Sequence, residues 1–197
     1  IDLIVKAWTS DQPFAWDGAE YRFSTVAVWP KTSQTPHPPI FGSGNSDESV
    51  RFAAARRMGI AFSFAPPEVV RNWVKLYHAE AETAGWQPGP EHVIYRGIAY
   101  AAESDAKAFD DMGAFFGAKM AEQAQIQQKT LGGPPVVPLV LEPYFVGGPE
   151  TLKGKMEAIR DCGVGVVDLA WGIGRPDQRE AAMECFAKGV LGVAKSL

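Results

Sequence analysis

The chain is poor in the residues that build metal and disulfide sites. Its two cysteines, Cys162 and Cys185, stand far apart in two helical stretches, outside any ligand spacing, so both are expected to be reduced core residues. The three histidines, His37, His78 and His92, have no HxxxH or HxE companion, and no metal is expected. No apolar run approaches the roughly 18 residues that span a bilayer, and no charged segment leading into an apolar one opens the chain. No membrane partner is therefore expected, and a cytoplasmic location is. Basic residues are few and scattered, with 19 Lys and Arg against 23 Asp and Glu for a net charge of −4, which gives no support to a nucleic-acid partner. With 46% hydrophobic and 21% charged residues among 197, what remains is one globular domain, residues 1–197, with enough apolar material for a core.

What is present is organised around Pro38-Pro39-Ile40-Phe41-Gly42-Ser43-Gly44-Asn45-Ser46-Asp47-Glu48-Ser49 and the helix-forming run after it. This reads as strand, turn, helix. A helix that starts at a sheet's carboxyl edge presents unsatisfied amides and the positive end of its dipole, a seat for a phosphate. Gly42 and Gly44 let the backbone come close, and Asn45, Ser46 and Ser49 offer short donors. Two readings are open on these residues: a phosphate cradle, or an ordinary turn with Ser46 or Asp47 as the N-cap.

Along the chain, Ile1 to Trp8 reads as the tail of an amphipathic helix already under way, which suggests a fragment. Asp17-Gly18 between aromatic flanks predicts a hairpin in which glycine supplies positive φ, and residues 30–39 an extended connector. A helix is predicted over 47–58 with Gly59 as its C-cap, then a strand over 60–65, a helix over 68–84 ending at Gly85, and a strand over 95–102. Ser104 or Asp105 can cap a long helix over 106–129. Residues 131–143, rich in proline, are expected to form a lid or insertion. Tyr144 to Thr151 is a second apolar-to-helix turn, followed by a helix to about 162, a strand over 164–171 and a last helix over 177–195.

Strand and helix alternate, which argues for a parallel sheet with crossover helices. Periodicity does not choose between an open doubly wound sheet and part of a barrel. The absence of GxGxxG after any strand, and a length short of the roughly 250 residues of a barrel, favour the barrel's C-terminal part.

Trp16-Asp17-Gly18, Pro36-His37-Pro38-Pro39-Ile40, Gly42-Ser43-Gly44-Asn45-Ser46 with Ala53-Ala54, Ala101-Ala102-Glu103-Ser104-Asp105-Ala106 and Val146-Gly147-Gly148-Pro149-Glu150-Thr151 follow one another in an informative order and spacing. In that order they resemble the C-terminal half of the bacterial luciferase-like flavin monooxygenases. The resemblance spans nearly the whole chain. It implies an α/β fold, a (β/α)8 TIM barrel of the luciferase-like type of which this chain supplies strands five to eight.

The resemblance also implies that the turn after strand five, here Gly44, Asn45, Ser46 and Ser49, holds the phosphate of reduced flavin mononucleotide (FMN). It implies a monooxygenase that takes reduced FMN from a separate flavin reductase and uses O₂ to oxygenate a small organic substrate. The family's catalytic histidine belongs to the first half of the barrel and has no position here.

Trp171, at the carboxyl end of the last strand, is the candidate substrate-binding residue, or else a packing aromatic. Arg96 lies within a strand and can pair with a carboxylate or a phosphate; a structural ion pair is the expected role. Two other readings stay open: a deazaflavin-dependent oxidoreductase of the same superfamily, and a non-catalytic flavin-binding protein. A half barrel leaves strand edges and apolar faces uncovered, so a homodimer or a missing half is expected to cover them.

Overall fold

The computed structural model describes residues 1–117 and 145–191. The expected lid at 131–143 lies outside the described residues. The chain forms two compact units, Ile1–Ile40 and Phe41–Leu197.

The first unit opens with helix α1 (Asp2–Thr9), followed by the antiparallel hairpin β1 (Phe14–Asp17) and β2 (Arg22–Val26). Lys6 Nζ sits 4.5 Å over the Phe14 ring, a cation–π contact between helix and hairpin. The hairpin forms where the sequence predicts it, but for a different reason. Gly18 does not adopt positive φ; a Cβ there would lie 2.6 Å from Trp16 Nε1. Glycine is needed for the close approach of the indole.

In the second unit each of the described strands leads into a helix. Strand β3 (Phe41–Ser43) precedes α2 (Asp47–Ala55), and β4 (Gly59–Ser63) precedes α3 (Pro67–Thr83). Strand β5 (Val93–Ala101) leads to α4 (105–117), β6 (Phe145–Gly147) to α5 (Pro149–Arg160), and β7 (Val166–Ala170) to α6 (Pro176–Phe186), which a π-helical turn at Ala187–Leu191 extends. The strands form one parallel sheet in which β3 pairs with β4, β4 with β5, and β5 with both β6 and β7. This is the alternation the sequence predicts.

The helices form for local reasons. Pro66 and Pro67 place a proline at the first turn of α3, where its missing N–H costs nothing, and Val70, Val74, Tyr77 and Ala81 recur on one buried face. Phe62 of β4 is fully buried and stacks on Trp73 of α3 at 5.3 Å. Tyr77 donates to the Met58 carbonyl at 2.6 Å and Tyr95 to the Ala65 carbonyl at 2.9 Å, so these two buried tyrosines lock the chain entering and leaving β4. Burial pushes both phenols above their ordinary pKa.

One boundary differs from the sequence expectation. Helix α2 stops at Ala55 with Arg56 as its cap, and Arg57, at φ 54°, takes the left-handed conformation expected of Gly59. Gly59 instead opens β4, packed against the Phe41 ring, with a Cβ position 3.0 Å from the His92 carbonyl oxygen. The strand's close neighbours, rather than a helix cap, require the glycine.

Packing makes the sheet one-sided. Ile60, Phe62, Val93 and Tyr95 are buried on the face that α3 covers, while the alternate positions Phe41, Arg96, Val166 and Asp168 are exposed on the other.

Removing the Tyr77 hydroxyl leaves the Met58 carbonyl buried without its partner. Tyr77→Phe is expected to lower unfolding free energy by about 1–3 kcal/mol, read as a lower urea midpoint at unchanged slope.

Candidate functional site

Two strand-to-helix turns reach the carboxyl edge of the sheet with the same problem, a first helical turn whose amides have no intrahelical acceptor. They resolve it differently.

At the β3–α2 turn, Ser46 is the N-cap, with extended backbone at φ −152° and ψ 156°. Its Oγ accepts from the Ser49 amide at 3.2 Å and lies 3.0 Å from Ser49 Oγ, so two hydroxyls stand together over the helix start. Gly44 makes this possible, because a Cβ at that position would fall 2.5 Å from Ser49 Cβ. The Asn45 carboxamide is committed sideways: Nδ2 donates to the Ser63 carbonyl at 2.6 Å and Oδ1 accepts from the Ser63 amide at 3.0 Å. Asn45 thereby pins the turn to the last residue of β4. Asp47 accepts from Trp73 Nε1 at 3.1 Å, which ties the same turn to α3. The amides of Asp47 and Glu48, at the first two helical positions, have no partner among the described residues. The result is a small concave seat of hydroxyls and amides at the positive end of a dipole, the chemistry that receives an anion.

The β6–α5 turn is already occupied by a carboxylate, which takes the N-cap amide and leaves the Glu150 and Thr151 amides, like those of Asp47 and Glu48, without a partner among the described residues. Asp105, from the start of α4, reaches across so that Oδ1 accepts from the Gly148 amide at 2.7 Å and Oδ2 from the Thr151 hydroxyl at 2.8 Å. Gly147 at φ +147° leaves room for this, since a Cβ there would sit 2.7 Å from the carboxylate. The Gly148 amide, then the Thr151 hydroxyl and the charge of Lys155, hold the Asp105 carboxyl below the usual carboxylate range. Ser104 is the cap of α4, its Oγ accepting from the Lys107 amide at 3.3 Å.

The remaining candidates lie on β5 and just after β7. Arg96 pairs with Asp168 across β5 and β7, Nε to Oδ2 at 3.5 Å, the ion pair the sequence expects. Trp171 follows β7 directly and meets Phe186 edge-on at 5.3 Å. It is half-buried against a cluster that includes Tyr100, Met112, Ile173 and Ala182, with Phe115 and Phe116 of α4 against the same cluster. Tyr100 donates to Asp111 Oδ2 at 2.9 Å; burial, reinforced by that carboxylate, pushes its phenol up to about 12. Among the described residues no group of histidines, cysteines and carboxylates forms a metal site, both cysteines are free, and no helix is long and apolar enough to cross a membrane.

The family model for the luciferase-like monooxygenases matches residues 1–165. The chain belongs to that family. The luciferase-like fold is seen again in solved structures. A monooxygenase, RslO1 from Streptomyces bottropensis, superposes with a TM-score of 0.75 at 24% identity, over 98% of this chain and 59% of its own. The oxygenating constituent of 3,6-diketocamphane monooxygenase from Pseudomonas putida, solved in complex with FMN, gives 0.64 at 17% identity, over 95% and 59%. An F420-dependent secondary alcohol dehydrogenase in complex with an F420–acetone adduct gives 0.73 at 15% identity, over 98% and 59%. No curated protein matches the sequence. This luciferase-like chain spans about 59% of the length of those three structures, and its parallel sheet, in which β3, β4, β5 and β7 are neighbours in turn and the short β6 pairs with the end of β5, fits half a barrel.

Asp105 escaped the sequence reading because its partners lie 43 and 46 residues away. The available signal was the second small-residue turn, Gly147-Gly148-Pro149-Glu150-Thr151, which needs an acceptor as much as the first does. Because Asp105 is favoured as the anion in the fold, its contribution is complete above the ordinary carboxylate pKa of about 3.9 and is lost as pH falls through the lower folded value. The stability gap between wild type and Asp105→Ala, measured by urea unfolding, is expected to be constant from neutral pH down to that range and to close below it.

Proposed function

We propose that the β3–α2 turn seats the phosphate of reduced FMN and that the protein is a flavin-dependent monooxygenase acting on a small organic substrate. The observation that carries this is the contrast between the two turns: α5 has a carboxylate from another helix, Asp105, bound across its start, whereas α2, with Asp47 and Glu48 in its own first turn, presents two hydroxyls and two amides to which no carboxylate is bonded among the described residues. Membership of the luciferase-like family supports the same reading. The seat suits a phosphate in donor chemistry, and the absence of a side chain at Gly44 keeps Ser49 uncrowded.

In this reading Ser46 and Ser49 donate to the phosphate with the Asp47 and Glu48 amides, and Asn45 holds the turn in register with β4. Gly44 supplies the clearance. Trp171 forms an apolar wall for the substrate at the carboxyl end of β7, where barrel sites are built. Reduced FMN, supplied by a separate reductase, provides the electrons with which O₂ is activated for oxygen insertion. The protein's share is to bind, orient and exclude water. A deazaflavin-dependent oxidoreductase is the second reading, favoured by the similarity to the F420-dependent dehydrogenase at a TM-score of 0.73.

The test is an anaerobic titration of the purified protein with reduced FMN and with reduced riboflavin, which lacks the phosphate. Wild type is expected to prefer FMN by about tenfold or more. Ser46→Ala combined with Ser49→Ala removes that preference while riboflavin affinity, the control for an intact fold, stays the same. A preference that survives the double change places the phosphate elsewhere.

A further inference from the structure

The exposed face of the sheet carries one feature that the phosphate seat does not use. Its described strands place two charged side chains there, Arg96 of β5 and Asp168 of β7, among apolar neighbours such as Phe41, Ile94 and Val166. The pair stands level with the carboxyl ends of β4 and β7, five residues before that of β5. Arg96 is in register with Ser63, the last residue of β4, and Asp168 lies two residues before the end of β7. Ser63 is the residue whose backbone Asn45 grips, so Arg96 is one strand spacing, about 4.8 Å, from the anchor of the α2 turn.

The contact between the two is single and long, at 3.5 Å, and both side chains remain about half exposed, at 55% and 52%. Neither makes a further hydrogen bond or ion pair among the described residues. Among the described residues, the terminal amino groups of the guanidinium and one carboxylate oxygen therefore have no partner on this face.

We propose that Arg96 and Asp168 together recognise the pyrimidine edge of the bound cofactor, with Arg96 donating to N1 and the 2-carbonyl and Asp168 accepting from N3–H. The inference rests on the cofactor reading above. The chemistry of the edge matches the pair: two adjacent acceptors suit a planar guanidinium fork, and the neighbouring donor suits a carboxylate. Reduction makes N1 acidic, so near neutral pH the reduced ring is an anion whose charge is shared between N1 and the 2-carbonyl. The oxidised ring presents the same acceptors without the charge. Arg96 thus favours the reduced cofactor over the oxidised one, while the Asp168 charge repels the reduced anion and offsets part of that preference. Flavin and 5-deazaflavin share this edge.

The test titrates the purified protein anaerobically with reduced and with oxidised riboflavin, so that the phosphate seat plays no part. Wild type is expected to bind the reduced form about tenfold or more tightly than the oxidised form. Arg96→Gln abolishes that ratio, Arg96→Lys retains part of it through its charge, and Asp168→Asn, which keeps an acceptor for N3–H but removes the repelling charge, raises it. An unchanged ratio in Arg96→Gln, or no preference in wild type, overturns the proposal. Repeating the series with 5-deazariboflavin separates the two sources: an Arg96-dependent ratio with one ring alone identifies that ring as the ligand. The FMN-to-riboflavin preference reports on the α2 turn independently, so either assignment can fail while the other stands.

Discussion

A helix that begins at the edge of a parallel sheet must find acceptors for its first amides, and this requirement shapes the second unit. At α5 the fold supplies the acceptor itself: Asp105 spans the turn and is held as an anion by the Gly148 amide and the Thr151 hydroxyl. At α2 it supplies one cap bond, Ser46 to Ser49, and spends its other side chains on fixing the turn in place. Asn45 grips β4 and Asp47 grips Trp73 of α3. The turn is therefore rigid before any ligand arrives, and an anion seated there meets donors that need little further ordering.

The sheet carries a second consequence. Its helix-covered face is closed by Phe62, Tyr77 and Tyr95, whereas the opposite face keeps Phe41 and Val166 in contact with solvent. In a complete barrel the corresponding face is the packed interior. The carboxyl edge of that face brings Ser63, Arg96 and Asp168 to one level, so anion chemistry at the turn and charge complementarity on the sheet fall within neighbouring strands. The strand-to-strand register, more than any one motif, sets the candidate site.

The alternation of strands and helices was legible because each apolar run ends at a proline, a glycine or a small polar cap and each helix has periodic apolar positions. The cap at Ser46 was legible for the same reason, as a small polar residue immediately before a helix-forming run. The glycines were harder to read. Gly18 and Gly59 both looked like positions demanding positive φ, yet each is required by a close neighbour, an indole nitrogen at one and a phenyl ring and a carbonyl at the other. Sequence shows that a side chain is absent, not which atom takes its place. Asn45 looked like a phosphate donor because its partner, Ser63, is 18 residues away across a register that no local pattern encodes. Arg96 was readable as half of an ion pair, but choosing Asp168 requires knowing that β7 lies beside β5.

The most direct measurement of the central claim is an amide proton–nitrogen correlation spectrum of isotopically labelled protein titrated with FMN. The account predicts that the Asp47, Glu48 and Ser49 amides move with the phosphate-bearing ligand, while Glu150 and Thr151, at the turn already occupied by the Asp105 carboxylate, stay where they are. Movement at Glu150 and Thr151 with a silent α2 turn would contradict it.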